Sequence, residues 1–228
     1  MKRVSFCTTC KGRLWQLEQT LPNNLKILDD YSEIVLLDYQ SPDGLKNYIF
    51  DNFKEELGNG RLKYYETVED YAYSSAYAKN LVHKIATGDI LFNLDADNYL
   101  YDGILYELRL LKDNQLFLPK LGVDNDGLFG RLGYTRESFM SFQGYDENIV
   151  GLGGDDGKLR LKAHSMKYYP VHASIRSSAI QNTREQKDKY VNNDTIKNYN
   201  KPSPPLNYPE QWGVGLVLDS HGNKIQVK

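Results

Sequence analysis

Cysteine and histidine are scarce in this chain: its 228 residues include only Cys7, Cys10 and four histidines. A lone Cys-x-x-Cys with no second pair argues against a structural zinc site. A redox motif of that spacing normally opens a helix in a thioredoxin-like unit, so ordinary buried or half-buried thiols are the expectation. No apolar run approaches the roughly 18–20 residues of a membrane helix. Met1–Phe6 is too short for a signal peptide and enters a strand at once; the expectation is a soluble, cytoplasmic protein. Net charge of one sign is also missing. At −2 the chain as a whole demands neither a nucleic-acid nor a membrane partner. Internal repeats are absent, and the length suits one sizeable domain with or without a small appendage. Tyrosine, by contrast, is abundant at 18 residues, either for contact surfaces or simply decorating strands and surface.

The first half alternates strand and helix patterns. Val4–Thr8, Glu33–Leu37, Leu62–Tyr65 and Ile90–Leu94 read as strands. Between them lie helices over Leu14–Leu21, closed by Pro22, over Leu45–Leu57, and over Ser74–Thr87 with Gly88 as its cap. This rhythm predicts an α/β fold with a parallel sheet covered by helices. The second half is less regular. Gly103–Leu111 and Thr135–Phe142 read as helices, and Gln115–Leu118, Gly127–Tyr134 and Met166–Val171 as strands. From about Ser177 the chain turns polar, with short terminal strands at Trp212–Leu218 and Ile225–Val227 that can dock back. The expected organisation is a domain over 1–178 and a polar extension over 179–228.

The densest chemistry lies in Leu94-Asp95-Ala96-Asp97-Asn98. A strand ending in Asp-x-Asp sets two carboxylates at its carboxyl end, where open α/β sheets bind ligands. Such hard oxygens suit Mg²⁺ or Mn²⁺ held together with substrate phosphates, which points to a metal-bound nucleoside diphosphate. Asp38 ends the second strand near the same edge; it either accepts hydrogen bonds from a base or ribose, or shapes a turn. Asp155 and Asp156 open a helix behind Gly151, Gly153 and Gly154. Helix capping is one role for them. The other is a general base that takes the proton of an attacking sugar hydroxyl, with Gly154 letting the backbone approach a ligand closely. His172 ends the last core strand, where a neutral imidazole can complete the shell of a Mn²⁺-like ion.

Taken in order, these residues resemble a GT-A-fold, nucleotide-sugar-dependent glycosyltransferase. Val35–Asp38 with Ser41-Pro42-Asp43, Ala78-Lys79-Asn80, and Gly88–Asp97 are similar to the large family-two class. Leu128-Phe129-Gly130, Tyr134–Phe139, Gln143–Glu147 and Gly153-Gly154-Asp155-Asp156 resemble the carboxyl-terminal part of β-1,4-galactosyltransferases. The resemblance covers about residues 4–180. It implies a Rossmann-like, mainly parallel sheet, Mn²⁺ or Mg²⁺ as cofactor and a nucleotide sugar, a UDP-sugar first, as donor. By position it implies that Asp97 binds the metal, that Asp95 contacts metal and nucleotide sugar, and that His172 is a further ligand. Asp156 matches the catalytic base, Asp155 an acceptor contact, and Asp38, Arg13 and Lys79 the lining of the nucleotide pocket. Two positions depart: an aromatic that stacks on sugar is Leu152 here, and a methionine metal ligand is Tyr169.

The function expected is inverting transfer of a sugar to a hydroxyl acceptor: a glycan, lipid-linked sugar, protein or modified nucleic acid, in a bacterium or phage. The alternatives are a nucleotidyltransferase, although Thr8–Arg13 holds a single glycine where such enzymes carry a glycine-rich loop, or a non-catalytic carbohydrate-binding protein. Arg184, Lys187, Lys189, Lys197 and Lys201 form a tail able to meet an anionic acceptor such as DNA, or one that is simply solvated beside Asp188 and Asp194.

Overall fold

Four parallel strands form the centre of the sheet in a computed structural model, which describes residues 1–120, 127–149, 154–175, 177–183, 204 and 209–228. They are β1 (Val4–Cys10), β2 (Ser32–Asp38), β3 (Leu62–Thr67) and β4 (Ile90–Asn93). Strand β1 pairs in parallel with β2 and β4, and β2 in parallel with β3. Near-continuous burial along β1, β2 and β4 matches strands covered on both faces. Beyond β4 come β6 (Gly133–Thr135), β5 (Gln115–Leu118) and β7 (Tyr169–His172); beyond β3 come β8 (Gly215–Asp219) and β9 (Lys224–Val227). The order of the nine strands is β7-β5-β6-β4-β1-β2-β3-β8-β9. The flanks are mixed: β6 runs antiparallel to β4 and β5, and β8 antiparallel to β3 and β9.

Seven helices cover the sheet among the described residues. Helices α1 (Leu14–Ile27), α2 (Leu45–Asn52), α3 (Lys54–Asn59) and α5 (Ile104–Arg109) follow the pattern of one face, whose core holds Phe6, Leu17, Leu21, Leu36, Ile49, Phe92 and Leu108. Helices α4 (Ser75–Ile85), α6 (Arg136–Phe142) and α7 (Asp155–Ser165) contribute to the other, around Val35, Leu37, Tyr77, Leu81, Tyr134 and Phe139. Cys10 belongs to the first core and Cys7 to the second. Residues three apart on a strand point to opposite faces, so the Cys-x-x-Cys cannot close on itself, and both thiols are free and buried.

Several local expectations are corrected. Helix α1 runs through Pro22 instead of stopping there. The carbonyl that Pro22 cannot serve, that of Glu18, accepts from the Tyr48 hydroxyl at 3.3 Å. The next turn is held by Asn24, whose side chain donates to Asn98 O and accepts from Leu100 N. The helix expected over Leu45–Leu57 breaks into α2 and α3 at Phe53, which leaves helical geometry and is buried. Ser74 caps α4 by accepting from Tyr77 N, but the helix ends at Ala86 and Gly88 is not its cap. A Cβ on Gly88 would stand 2.7 Å from Ser5 N and 2.8 Å from Ile90 O, so this glycine is needed for close approach to the strands. The strand expected over Gly127–Tyr134 is only Gly133–Thr135, and the last core strand is shifted to Tyr169–His172.

Candidate active site

The cleft opens at the carboxyl ends of β1 and β4. Asp95 and Asp97 follow β4 directly, and Thr9, Lys11 and Arg13 come from β1 and the turn after it. Tyr73, Ser75 and Lys79 enter from α4 and its approach, and Asp155 and Asp156 from the first turn of α7. The turn between β1 and α1 is set by the Ser41-Pro42-Asp43 segment. Asp43 Oδ2 accepts from Leu14 N at 2.8 Å, capping α1 from outside the helix, and Ser41 Oγ accepts from Gly12 N at 2.6 Å.

The two halves of the cleft meet at Gly130. A Cβ there would lie 2.7 Å from Asp156 Oδ2 and 2.8 Å from Asp95 Oδ2, so the two carboxylates converge on a space that only a glycine leaves open. Asn93 Nδ2 fixes the arrangement, donating to Gly130 O at 2.8 Å and to Asp95 Oδ1 at 3.0 Å.

Asp97 is mostly buried. Its Oδ1 accepts from Asn98 Nδ2, its Oδ2 accepts from Asn182 Nδ2 at 3.1 Å, and Arg13 Nη1 stands 3.7 Å away. Burial, with Asp95 next, pushes its carboxyl up, and the Arg13 charge offsets only part of this. Asp97 and Asp95 together offer hard carboxylate oxygens of the kind that suit a divalent cation. Asn182 Oδ1 accepts from Gln16 Nε2 at 2.9 Å and from Arg13 Nη1 at 3.2 Å, so this amide ties Asp97 to the start of α1.

Lys79 lies in the cleft but is engaged on the α7 side. It is 5% exposed, and its Nζ stands 2.8 Å from Asp155 Oδ2 and 2.7 Å from Asp156 Oδ1. Burial alone would depress this ammonium; Asp155, Asp156 and Asp95 outweigh it and hold the group charged. The two aspartates then diverge. Burial raises Asp155, but Lys79 overrides it and keeps the carboxyl below its ordinary range. Asp156 is pushed up to about 6, by burial first and then by the charges of Asp155 and Asp95 against the pull of Lys79. Asp156 therefore holds its proton more tightly than Asp155, the poise expected of a group that exchanges a proton.

Other expected residues stand apart. Asp38 does not line the cleft: Oδ1 accepts from Ser41 N at 2.6 Å and Oδ2 from the Tyr64 hydroxyl at 2.7 Å, so it holds the turn. Gly154 caps α7 with φ +85°, exposed and outside the cleft lining. His172 is exposed at the end of β7, opposite Leu118, and does not line the cleft either. Among the described residues no three His, Cys, Asp or Glu side chains gather as a metal cluster, so the structure does not assemble His172 with Asp95 and Asp97. Gly151, Leu152, Gly153 and the basic tail from Arg184 to Lys201 lie outside the described residues. Asn93 and Gly130 lie within the quoted motifs, but sequence reasoning assigned neither of them a role of its own. Asn182 had no signal, because it lies in a polar stretch without periodicity.

The family model for glycosyl transferase family 2 matches residues 5–148. The chain belongs to that family. Its fold is the GT-A fold, a mixed α/β architecture with a central sheet. No curated protein matches the sequence. Among solved structures, the mannosyltransferase PcManGT of Pyrobaculum calidifontis, in complex with GDP-Man and Mn²⁺, aligns at TM-score 0.67 and 18% identity over 90% of this chain and 66% of that one. S. aureus TarS with UDP-GlcNAc aligns at 0.63 and 15% identity over 83% of this chain and 62% of that one. A Drosophila β-1,4-galactosyltransferase 7 complex with manganese, UDP-Gal and xylobiose aligns at 0.58 and 14% identity, over 92% and 78%. At these identities the likeness establishes the fold, and the chain spans less than two thirds of the length of the first two. No helix among the described residues is long and apolar enough to cross a membrane.

Proposed function

We propose that this chain is an inverting, divalent-cation-dependent glycosyltransferase that transfers a sugar from a nucleoside diphosphate donor, a UDP-sugar first, to a hydroxyl acceptor. The observation that carries it is the convergence of Asp95 and Asp156 on the gap at Gly130. It supports a reading in which Asp95 and Asp97 form the acid pair for a cation, with a separate carboxylate raised toward neutrality beside them. The Mn²⁺ and nucleotide sugars named for the neighbours support the same reading.

Asp95 and Asp97 are the residues that would hold the cation, which when bound offsets charge on the leaving diphosphate as a Lewis acid. Arg13, 3.7 Å from Asp97, would pair its guanidinium with a donor phosphate. Asp156 accepts the proton of the acceptor hydroxyl as that oxygen attacks the anomeric carbon from the face opposite the leaving group. Lys79 stabilises the carboxylate form of Asp155 and fixes where Asp156 points. Much of the acceleration comes from holding the two substrates in line.

The test is product analysis across nucleotide sugars with and without Mn²⁺. Release of a nucleoside diphosphate is the expected result, whereas pyrophosphate would indicate nucleotidyl transfer. Asp156→Asn should lower transfer by about 10²–10⁴-fold, the usual worth of a positioned base, and leave nucleotide binding largely intact, since the proposal assigns this residue to the acceptor hydroxyl and not to the diphosphate. Wild-type turnover in that variant would remove Asp156 from the mechanism.

A further inference from the structure

Among the described residues, one cation beside the cleft lacks the polar partners that its neighbours have. Arg160 lies one helical turn after Asp156 on α7, so the two side chains share a face. Its guanidinium carbon sits 4.1 Å from the centre of the Phe129 ring. Phe129 immediately precedes Gly130, the residue on which Asp95 and Asp156 converge. The ring also lies along α7 at Gly157, where a Cβ would come within 3.9 Å of it. The guanidinium is thus stacked on an aromatic that is 36% exposed, at the rim next to the candidate base.

Arg160 Nη1 is out of contact with solvent and has no hydrogen-bond partner among the described residues, and no carboxylate there forms an ion pair with the side chain. The other cations of this region are engaged: Lys79 by Asp155 and Asp156, Arg13 by Asp97 and Asn182, and Lys158 by Asp146 at 3.1 Å. A buried N–H left without an acceptor is costly, and in a native protein it calls for a specific cause. Arg160 as a whole is only half-buried, although Nη1 is covered, and the in-plane N–H edge of a stacked guanidinium matches a carboxylate or phosphate.

From this juxtaposition we infer that Arg160, held flat by Phe129, binds an anionic group on the acceptor, so that the preferred acceptor is a sugar carrying a phosphate or a carboxylate near its reacting hydroxyl. This rests on the reading of Asp156 as the base, because it is that carboxylate which makes the Phe129 side of the cleft the acceptor side. The ammonium of a lysine would supply the charge without the planar fork, and a neutral acceptor would leave the buried N–H unmatched.

The test measures binding of glucose, glucose 6-phosphate and glucuronate by ligand-observed NMR, with excess UDP and Mg²⁺ present so that added phosphate does not occupy the diphosphate position. At least one anionic sugar should bind about tenfold more tightly than glucose, and comparing the two tells phosphate from carboxylate. Arg160→Gln should abolish that preference, Arg160→Lys should keep part of it, and Phe129→Leu should weaken it by freeing the guanidinium. Circular dichroism of each variant reports folding. Equal binding of all three sugars by the wild type, or a preference that survives in Arg160→Gln, would overturn the assignment. UDP binding, read by thermal shift on the same samples, reports separately on the donor reading. Discrimination between sugars without any nucleotide binding would defeat that reading and leave the anion site standing.

Discussion

Asp156 and Lys79 show how a few buried charges set one another. A carboxyl poised at about 6 is ionised at neutral pH and loses its charge under mildly acid conditions. The transfer rate should therefore fall as pH drops through this range. The midpoint should lie at about 6 in kcat/KM measured at low cation concentration and move lower as a cation fills Asp95 and Asp97. A flat profile down to pH 4 would place the base elsewhere. Replacing Lys79 by alanine strands Asp155, which is 2% exposed, beside Asp156 without a cation. Removing one partner of such a buried cluster costs about 3–5 kcal/mol, and denaturant unfolding should show a loss of that order at pH 8. The loss should shrink toward pH 5, where the carboxyls can take up protons. Asp95, Asp97, Asp155 and Asp156 were legible because Asp-x-Asp after an apolar run and Gly-Gly-Asp-Asp before a helix are local patterns. The partners of Lys79 were not legible. A contact between residues 77 positions apart leaves no trace in local spacing, and resemblance had assigned this lysine to the nucleotide.

At the scale of elements, the sequence pattern located the central strands because β1, β2 and β4 are buried almost along their whole length and β3 carries Leu62 and Tyr64 inward. It failed where a tertiary contact overrode a local signal. Pro22 is a sound stop in isolation, but Tyr48 takes up the carbonyl it orphans and Leu25 remains buried on the far side of it. Gly88 is a sound cap in isolation, yet its function is clearance. Gly88→Ala sets a methyl 2.7 Å from a backbone nitrogen of β1 and 2.8 Å from a backbone oxygen of β4. Neither neighbour can rotate away, so the substitution should cost about 1–3 kcal/mol, seen as a lower thermal midpoint. A midpoint equal to wild type would show that the strands shift freely. Tyrosine gave the weakest forecast. Tyr39, Tyr64, Tyr77, Tyr134 and Tyr145 are core residues, and their hydroxyls are spent on internal partners such as Ala72 O, Asp38 and Val214 O. His83 belongs with them. It is stacked on Phe139, bridges Lys79 O and the Tyr134 hydroxyl, and is pushed down to about 3 by burial, so it stays neutral.

Across the whole molecule, the hairpin of β8 and β9 covers the edge that β3 would otherwise present. Before it, Trp212 packs edge-on against Phe139 with Lys84 over its ring, and Gly213 N donates to Glu147 Oε1 at 2.7 Å. The same carboxylate oxygen accepts from Asn80 Nδ2 at 2.7 Å, and Asn80 neighbours Lys79 on α4. Deleting residues from Trp212 onward should therefore lower the thermal midpoint and expose a strand edge. The checks are calorimetry and light scattering, and a truncated chain that melts like the full one and stays monomeric would contradict the account.

That late anchor also has a consequence in time. Strands β1 to β4 and α4 are all made within the first 93 residues, and their pairing needs nothing further along. Lys79 and Asn80 nevertheless wait for Asp155, Asp156, Glu147 and finally Gly213 before their polar groups are matched. A chain emerging from the ribosome thus carries the centre of its sheet before the residues that complete the cleft, and the β8–β9 edge follows last.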